Sequence, residues 1–223
     1  MSYHHRRLNG DEINLPAGKV VCVGRNFAAH AEELNNPLPD EPVLFLKPAS
    51  SLLAWEKKLP IPTSKGEVHY ELELAVLIGK TLTHANNEEA MKGVVAVGLG
   101  LDLTLREKQQ ALKEKGLPWE RAKAFDGSCT IGPWIPLPSI EWLQQAEFRL
   151  TINKTLRQEG KANLMMWPVV DLLVEISKEF TLQSGDVVLT GTPAGVGPLN
   201  IGDQIVAELD NLISIKSKIV ASE

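Results

Sequence analysis

The chain has 223 residues, 43% hydrophobic and 23% charged, which suffices to bury one full core and is ordinary for a globular protein. A net charge of -5 argues against a nucleic-acid partner, because phosphate-backbone affinity needs clustered Lys and Arg, so a small-molecule partner is expected. The longest apolar window, 93–105, falls short of the roughly 20 residues needed to cross a bilayer and carries Asp102, so no membrane partner is expected.

In chain order, residues 1–16 carry no functional signal and no secretory apolar run, and read as an N-terminal extension or first strands. Residues 17–223 read as one domain. A buried strand is predicted over 19–23, then a short helix over 26–34 with Asn26 as N-cap, ended by the Asn/Pro-rich segment 35–39. Strands follow at 43–46 and 68–78, the latter alternating polar with apolar residues before becoming wholly apolar. Residues 88–92 read as helix, 94–103 as an apolar strand and 105–115 as an amphipathic helix closed by Gly116 and Pro118. The segments 148–153 and 154–158 suggest a hairpin, 169–180 a helix with an apolar stripe, and 184–190 and 201–206 strands opened by Gly-Asp turns. Strands outnumber helices without alternating with them, so the fold class is α+β and strand-dominated, a folded-over sheet with a few peripheral helices. Cys22 and Cys129 have no metal-type spacing, so free thiols in the cytoplasm are expected.

On one strand, His69, Glu71 and Glu73 project together, which sets two carboxylates about 7 Å apart at their α-carbons. Such oxygen ligands suit Mg²⁺, Mn²⁺ or Ca²⁺ better than Zn²⁺; the alternative is a solvated strand face. Asp102 sits in an apolar run where an unpaired carboxylate would be costly, so it is either a third ligand or a cap at the strand's end. Lys123 could complement negative charge on a bound enolate or carboxylate, or be an exposed structural lysine. His30 and Glu33 share a helix face and form a usable acid/base dyad, unless both are merely solvated. The glycine-rich segment 189–198 lacks the Gly-Lys-Ser/Thr of a phosphate loop and reads as a rigid turn offering backbone N–H groups and the Thr192 hydroxyl to an anion, or as a plain connection.

In their order, the segments 23–26 (Val-Gly-Arg-Asn), 69–73 (His-Tyr-Glu-Leu-Glu), 100–104 (Gly-Leu-Asp-Leu-Thr), 123–126 (Lys-Ala-Phe-Asp) and the glycine-rich run 184–197 make the chain resemble the fumarylacetoacetate hydrolase family, in its short single-domain branch. The resemblance implies a β-sandwich roll, a homodimer, and a divalent ion, usually Mg²⁺, on Glu71, Glu73 and Asp102. It places substrate and catalytic roles on Arg106, Gln109, Lys123 and Thr192, and a mobile lid on His30 and Glu33, with Arg25 beside them. The implied substrate is a small 2-oxo acid that reacts through an enolate. Hydrolysis of acylpyruvates and decarboxylation of oxaloacetate rank first, with a keto–enol tautomerase or 2-oxo-acid isomerase as the alternative. A non-catalytic metal- or ligand-binding module is the contrasting class.

Overall fold

The structure, a computed structural model, describes residues 3–34 and 36–222; Asn35 of the predicted helix terminator lies outside them. The chain enters through β1 (Val20–Gly24), α1 (Ala28–Glu33), β2 (Val43–Lys47), β3 (Leu52–Ala54), β4 (Lys58–Pro62), β5 (Val68–Tyr70) and β6 (Leu72–Ile78). Next come α2 (Asn87–Gly93), β7 (Val94–Asp102), β8 (Thr104–Leu105), α3 (Arg106–Glu114), α4 (Glu120–Lys123), β9 (Cys129–Ile131) and β10 (Ile135–Pro136). The last part holds α5 (Ile140–Leu143), β11 (Glu147–Ile152), β12 (Thr155–Lys161), α6 (Val169–Glu179), β13 (Val187–Leu189), β14 (Gly197–Pro198), β15 (Gln204–Leu209) and β16 (Ile213–Ser222). The architecture is therefore strand-dominated α+β, as expected. Among the described residues, no helix is long and apolar enough to cross a membrane.

An eight-stranded sheet runs β2-β1-β13-β6-β7-β9-β3, with β10 beside β7. A five-stranded sheet runs β12-β11-β15-β16-β4, and a three-stranded ribbon runs β14-β5-β8. The main core forms where Leu72, Leu74, Leu99 and Leu101 of the large sheet join Phe148, Leu150, Ile205 and Ala207 of the second sheet in one buried cluster. The other face of the large sheet buries Cys22, Ala75, Leu77, Trp134 and Leu189 under Tyr3, Ile13 and Leu15 of the N-terminal segment. Covering both faces explains why β6 is buried at every position and loses the period-two alternation of a half-exposed strand.

The segment 3–16, silent in sequence, is tied down by the buried His5. Its Nε2 lies 3.2 Å from the Pro16 carbonyl and 3.1 Å from that of Gly185, while its Nδ1 accepts from Trp134 Nε1–H at 3.1 Å. The hairpin between β11 and β12 turns on Asn153 and Lys154 at φ 50° and 67°, the left-handed pair that a two-residue loop requires.

Two local predictions are corrected. The strand over 68–78 is broken at Glu71, with β5 in the ribbon and β6 in the large sheet, because Glu71 turns the chain from one sheet into the other. Asn26 does not cap α1: Phe27 holds the N-cap position without a side-chain cap bond. The Asn26 amide is instead buried, donating to Trp167 O at 3.1 Å and Thr190 O at 2.8 Å and accepting from Trp167 N at 2.8 Å. It fastens the start of α1 to the end of β13.

Candidate active site

Three ends of chain segments meet at the mouth of the large sheet. Glu71 lies in the break before β6, Glu73 two residues into that strand, and Asp102 at the end of the neighbouring β7. Asp102 N donates to Glu71 O at 2.9 Å, which locks the two ligand-bearing segments in register. All three carboxylates are buried, and each offers an oxygen within 4.8 Å of the others. The solvated-face reading of the two glutamates and the cap reading of Asp102 are thereby removed. His69 does not join them: on the ribbon its Nε2 lies 2.5 Å from Glu67 Oε1, because the break at Glu71 ends the shared face.

Three cations balance this charge. Lys123, at the end of α4, is buried rather than exposed, and its ammonium donates to Glu71 Oε2 at 2.8 Å and Asp102 Oδ2 at 2.6 Å. Arg106, opening α3, pairs with the other oxygen of Glu71 and donates to Gln109 Oε1 at 2.7 Å. Lys47, at the end of β2, is fully buried; it lies 2.8 Å from Asp102 Oδ1, and its hydrogen bonds go to the Lys123 carbonyl and to Ser128. Sequence reading missed Lys47, since its strand was predicted to stop one residue earlier. A lysine closing an apolar strand is the available signal.

Burial raises the Glu71 carboxyl, but the Lys123 ammonium and the Arg106 guanidinium outweigh it and hold the group well below the usual carboxylate range. Glu73 moves the other way: burial, then the Asp102 and Glu71 carboxylates, push it well above. Gly191 N donates to it at 2.6 Å. Gly191 sits at φ +101°, and a β-carbon there would lie 2.7 Å from the Asn26 β-carbon, so only glycine brings the amide in. Burial lowers Lys123, but Asp102 and Glu71 more than restore it.

The donor set fits a hard divalent cation. Among the described residues three buried carboxylates converge, the all-oxygen set that such an ion prefers.

The triad faces a narrow cleft that opens to solvent. His30, on α1, lines it, and its Nδ1 lies 3.2 Å from Glu33 Oε2. Gly195 N donates to Glu33 Oε1 at 2.9 Å, so the glycine-rich turn holds the dyad. Arg25, at φ 60°, and Lys113 also line the cleft, with Phe45 and Trp119 forming an aromatic wall. Lys113 was missed in sequence as one of several lysines on an amphipathic helix; burial, then Arg25 and Arg106, lower its pKa. Thr192 lines the cleft, but its hydroxyl donates to Leu72 O at 2.9 Å and so is not free to donate to an anion, contrary to expectation.

Buried acidic oxygens able to hold a metal ion, counter-cations and a histidine backed by a glutamate, gathered at one cleft of a folded sheet, have the make-up of an enzyme active site. The chain belongs to the fumarylacetoacetate hydrolase family: the profile of the fumarylacetoacetate (FAA) hydrolase C-terminal family matches residues 19–220. It is 46% identical over 209 residues to the oxaloacetate tautomerase YcgM of Escherichia coli (strain K12), covering 93% of this chain and 95% of the relative. It is 41% identical over 195 residues to the mitochondrial oxaloacetate decarboxylase of Dictyostelium discoideum, covering 87% and 89%. Among solved structures it resembles the fumarylpyruvate hydrolase of Pseudomonas aeruginosa in complex with Mn²⁺ and pyruvate, at TM-score 0.91 and 34% identity, covering 99% of this chain and 97% of that one.

Proposed function

We propose that the chain is a Mg²⁺-dependent enzyme that interconverts the keto and enol forms of oxaloacetate. The observation that carries this reading is the convergence of the Glu71, Glu73 and Asp102 oxygens and of His30, backed by Glu33, on a single cleft. Its lining holds Arg25, Arg106 and Lys113, positive charge that suits both carboxylates of a four-carbon dicarboxylic acid. The 46% identical E. coli relative named as an oxaloacetate tautomerase supports the same substrate and moves this reaction ahead of the hydrolase and decarboxylase readings.

A divalent cation held by the three carboxylates would supply a Lewis acid for the 2-oxo oxygen. The protein's own groups do the proton work. With Nδ1–H directed at Glu33, the His30 Nε2 lone pair is the base that takes a proton from C3; the C3–H electrons form the C2–C3 double bond, the C2–O π electrons pass to the oxygen, and the imidazolium returns its proton to that oxygen. Lys123 commits two of its three N–H donors to Glu71 and Asp102, and the third would serve to stabilise negative charge on that oxygen. Glu33 keeps the imidazole in the required tautomer and is itself held by the Gly195 amide.

A second reading, acylpyruvate hydrolysis or loss of carbon dioxide from oxaloacetate, proceeds through the same enol. It is favoured by the Phe45 and Trp119 wall, which offers apolar surface to an acyl chain. The reading as a whole includes a homodimer and, from the free buried Cys22 and Cys129, a reducing cytoplasm. The deciding experiment is stopped-flow ultraviolet monitoring of enol oxaloacetate coupled to pyruvate detection, with Mg²⁺ and after chelation. A tautomerase clears the enol signal well before pyruvate accumulates, and only with the ion present. Pyruvate formed in step with the signal would select the decarboxylase, and rates indifferent to chelation would sink the metal reading.

A further inference from the structure

Strand β12 is the edge of the second sheet, and its residues Thr155, Leu156, Arg157 and Glu159 are exposed. Gln158, between Arg157 and Glu159, is instead buried, at 1% exposure. The β11–β12 register shifts beside it: Leu150 pairs with Gln158 and Thr151 with Leu156, which leaves Arg157 as the extra residue. Such a bulge re-aims a neighbouring side chain.

Here the amide of Gln158 reaches across to the large sheet. Its Oε1 accepts from Leu72 N at 2.9 Å, and its Nε2 donates to Thr192 Oγ1 at 2.7 Å and to Pro193 O at 2.9 Å. Thr192 Oγ1 donates in turn to Leu72 O at 2.9 Å. The three groups close a ring of buried bonds around one residue, and that residue is the link between Glu71 and Glu73. Both polar backbone groups of Leu72 are thus held by side chains from other segments, at the point where the chain changes sheets. The same bulge meets the glycine-rich turn, since a β-carbon on Gly195 would lie 1.9 Å from Arg157 O.

We infer that Gln158 is a positioning residue for the metal-ligating carboxylates. It fixes the backbone between Glu71 and Glu73 and locks the Thr192 turn, whose neighbouring Gly191 amide holds Glu73. The inference rests on the proposed cation site and assigns a role that contact with substrate would not reveal. Groups that orient metal ligands change affinity by about 10–100-fold when removed.

The test is Mn²⁺ titration by calorimetry on the full chain for wild type, Gln158→Met and Gln158→Asn, with circular dichroism to establish folding. Methionine matches the length but bonds none of the three partners; asparagine keeps the amide but is one methylene short of spanning Leu72 and Thr192, and serves if the methionine variant does not fold. The expected result is a Kd raised about tenfold or more in whichever variants fold. Combining Gln158→Met with Thr192→Val should weaken binding by less than the product of the two single effects, because both act through Leu72. A folded variant that binds Mn²⁺ as wild type does, whatever its melting temperature, overturns the assignment of Gln158 alone. A wild type that binds no Mn²⁺ overturns the cation site and this inference together.

Discussion

Glu73→Gln should make the metal-free protein more stable while destroying its response to metal. In the structure Glu73 is 2% exposed, has one hydrogen-bond donor among the described residues in Gly191 N, and faces two further carboxylates whose cationic partners are already engaged. A glutamine of the same shape keeps an acceptor for Gly191 and loses the like-charge repulsion. Relief of a poorly satisfied buried charge is worth about 2 kcal/mol. At roughly 2–4 °C per kcal/mol for a chain of this size, the metal-free Tm should rise roughly 4–8 °C. Wild type at a Mg²⁺ concentration one hundred times Kd should gain about 2.7 kcal/mol, or roughly 5–11 °C, and the variant should gain nothing.

The pH dependence has a definite sign. Because the folded state raises the Glu73 carboxyl above its ordinary 4.5, its contribution is fully present below that value and is lost as pH rises through the higher folded value. Metal-free wild type should therefore lose stability relative to Glu73→Gln as pH climbs from the ordinary carboxylate range. Glu71, held low by Lys123 and Arg106 against its burial, contributes in the opposite sense at acid pH, but equally in both proteins, so the difference isolates Glu73. Differential scanning fluorimetry across pH with and without Mg²⁺ reads all of this. A variant that melts at or below metal-free wild type, or that still responds to Mg²⁺, would refute the electrostatic account.

His30→Asn should slow keto–enol exchange about 10²–10⁴-fold while leaving the calorimetric Kd for Mn²⁺ unchanged; a parallel loss of affinity would place the imidazole among the ligands. Lys47→Met removes one of the two cationic partners of the buried Asp102 and a donor to two buried carbonyls, so it should cost about 3–5 kcal/mol, visible as a Tm lower by roughly 6–20 °C. Asn26→Ala removes three hydrogen bonds of a buried amide, or about 3 kcal/mol, and should lower the urea midpoint without altering the m-value.

How much of the site was legible depended on the range of the signal. Glu71 and Glu73 are two apart, and Asp102 is a charge inside an apolar strand, so both stand out against local expectation. The hairpin at Asn153 and Lys154 follows from the same short-range logic. What failed was long-range. Asn26 has the chemistry of a cap, but Trp167 and Thr190, far along the chain, compete for its amide and win. His69 shares the local alternation with Glu71, yet the break that separates them comes from pairing with β8 and β14, which no local pattern encodes. Gln158 looks like any polar residue on an exposed strand, and only the bulge and the partner across the sheets give it meaning.

The large sheet places β13 between β1, with Val20 opposite Val187, and β6, with Leu77 opposite Val187 on the other side. β1 leads into the helix bearing His30 and Glu33, and β6 carries Glu73. During synthesis both of these elements leave the ribosome long before the strand that joins them. A nascent chain that ends short of Val187 would display the dyad and the acidic ligands on two unjoined edges, and pairing of such high sequence separation is slow to form. Reactivity should therefore arrive late and all at once, with completion of the sheet.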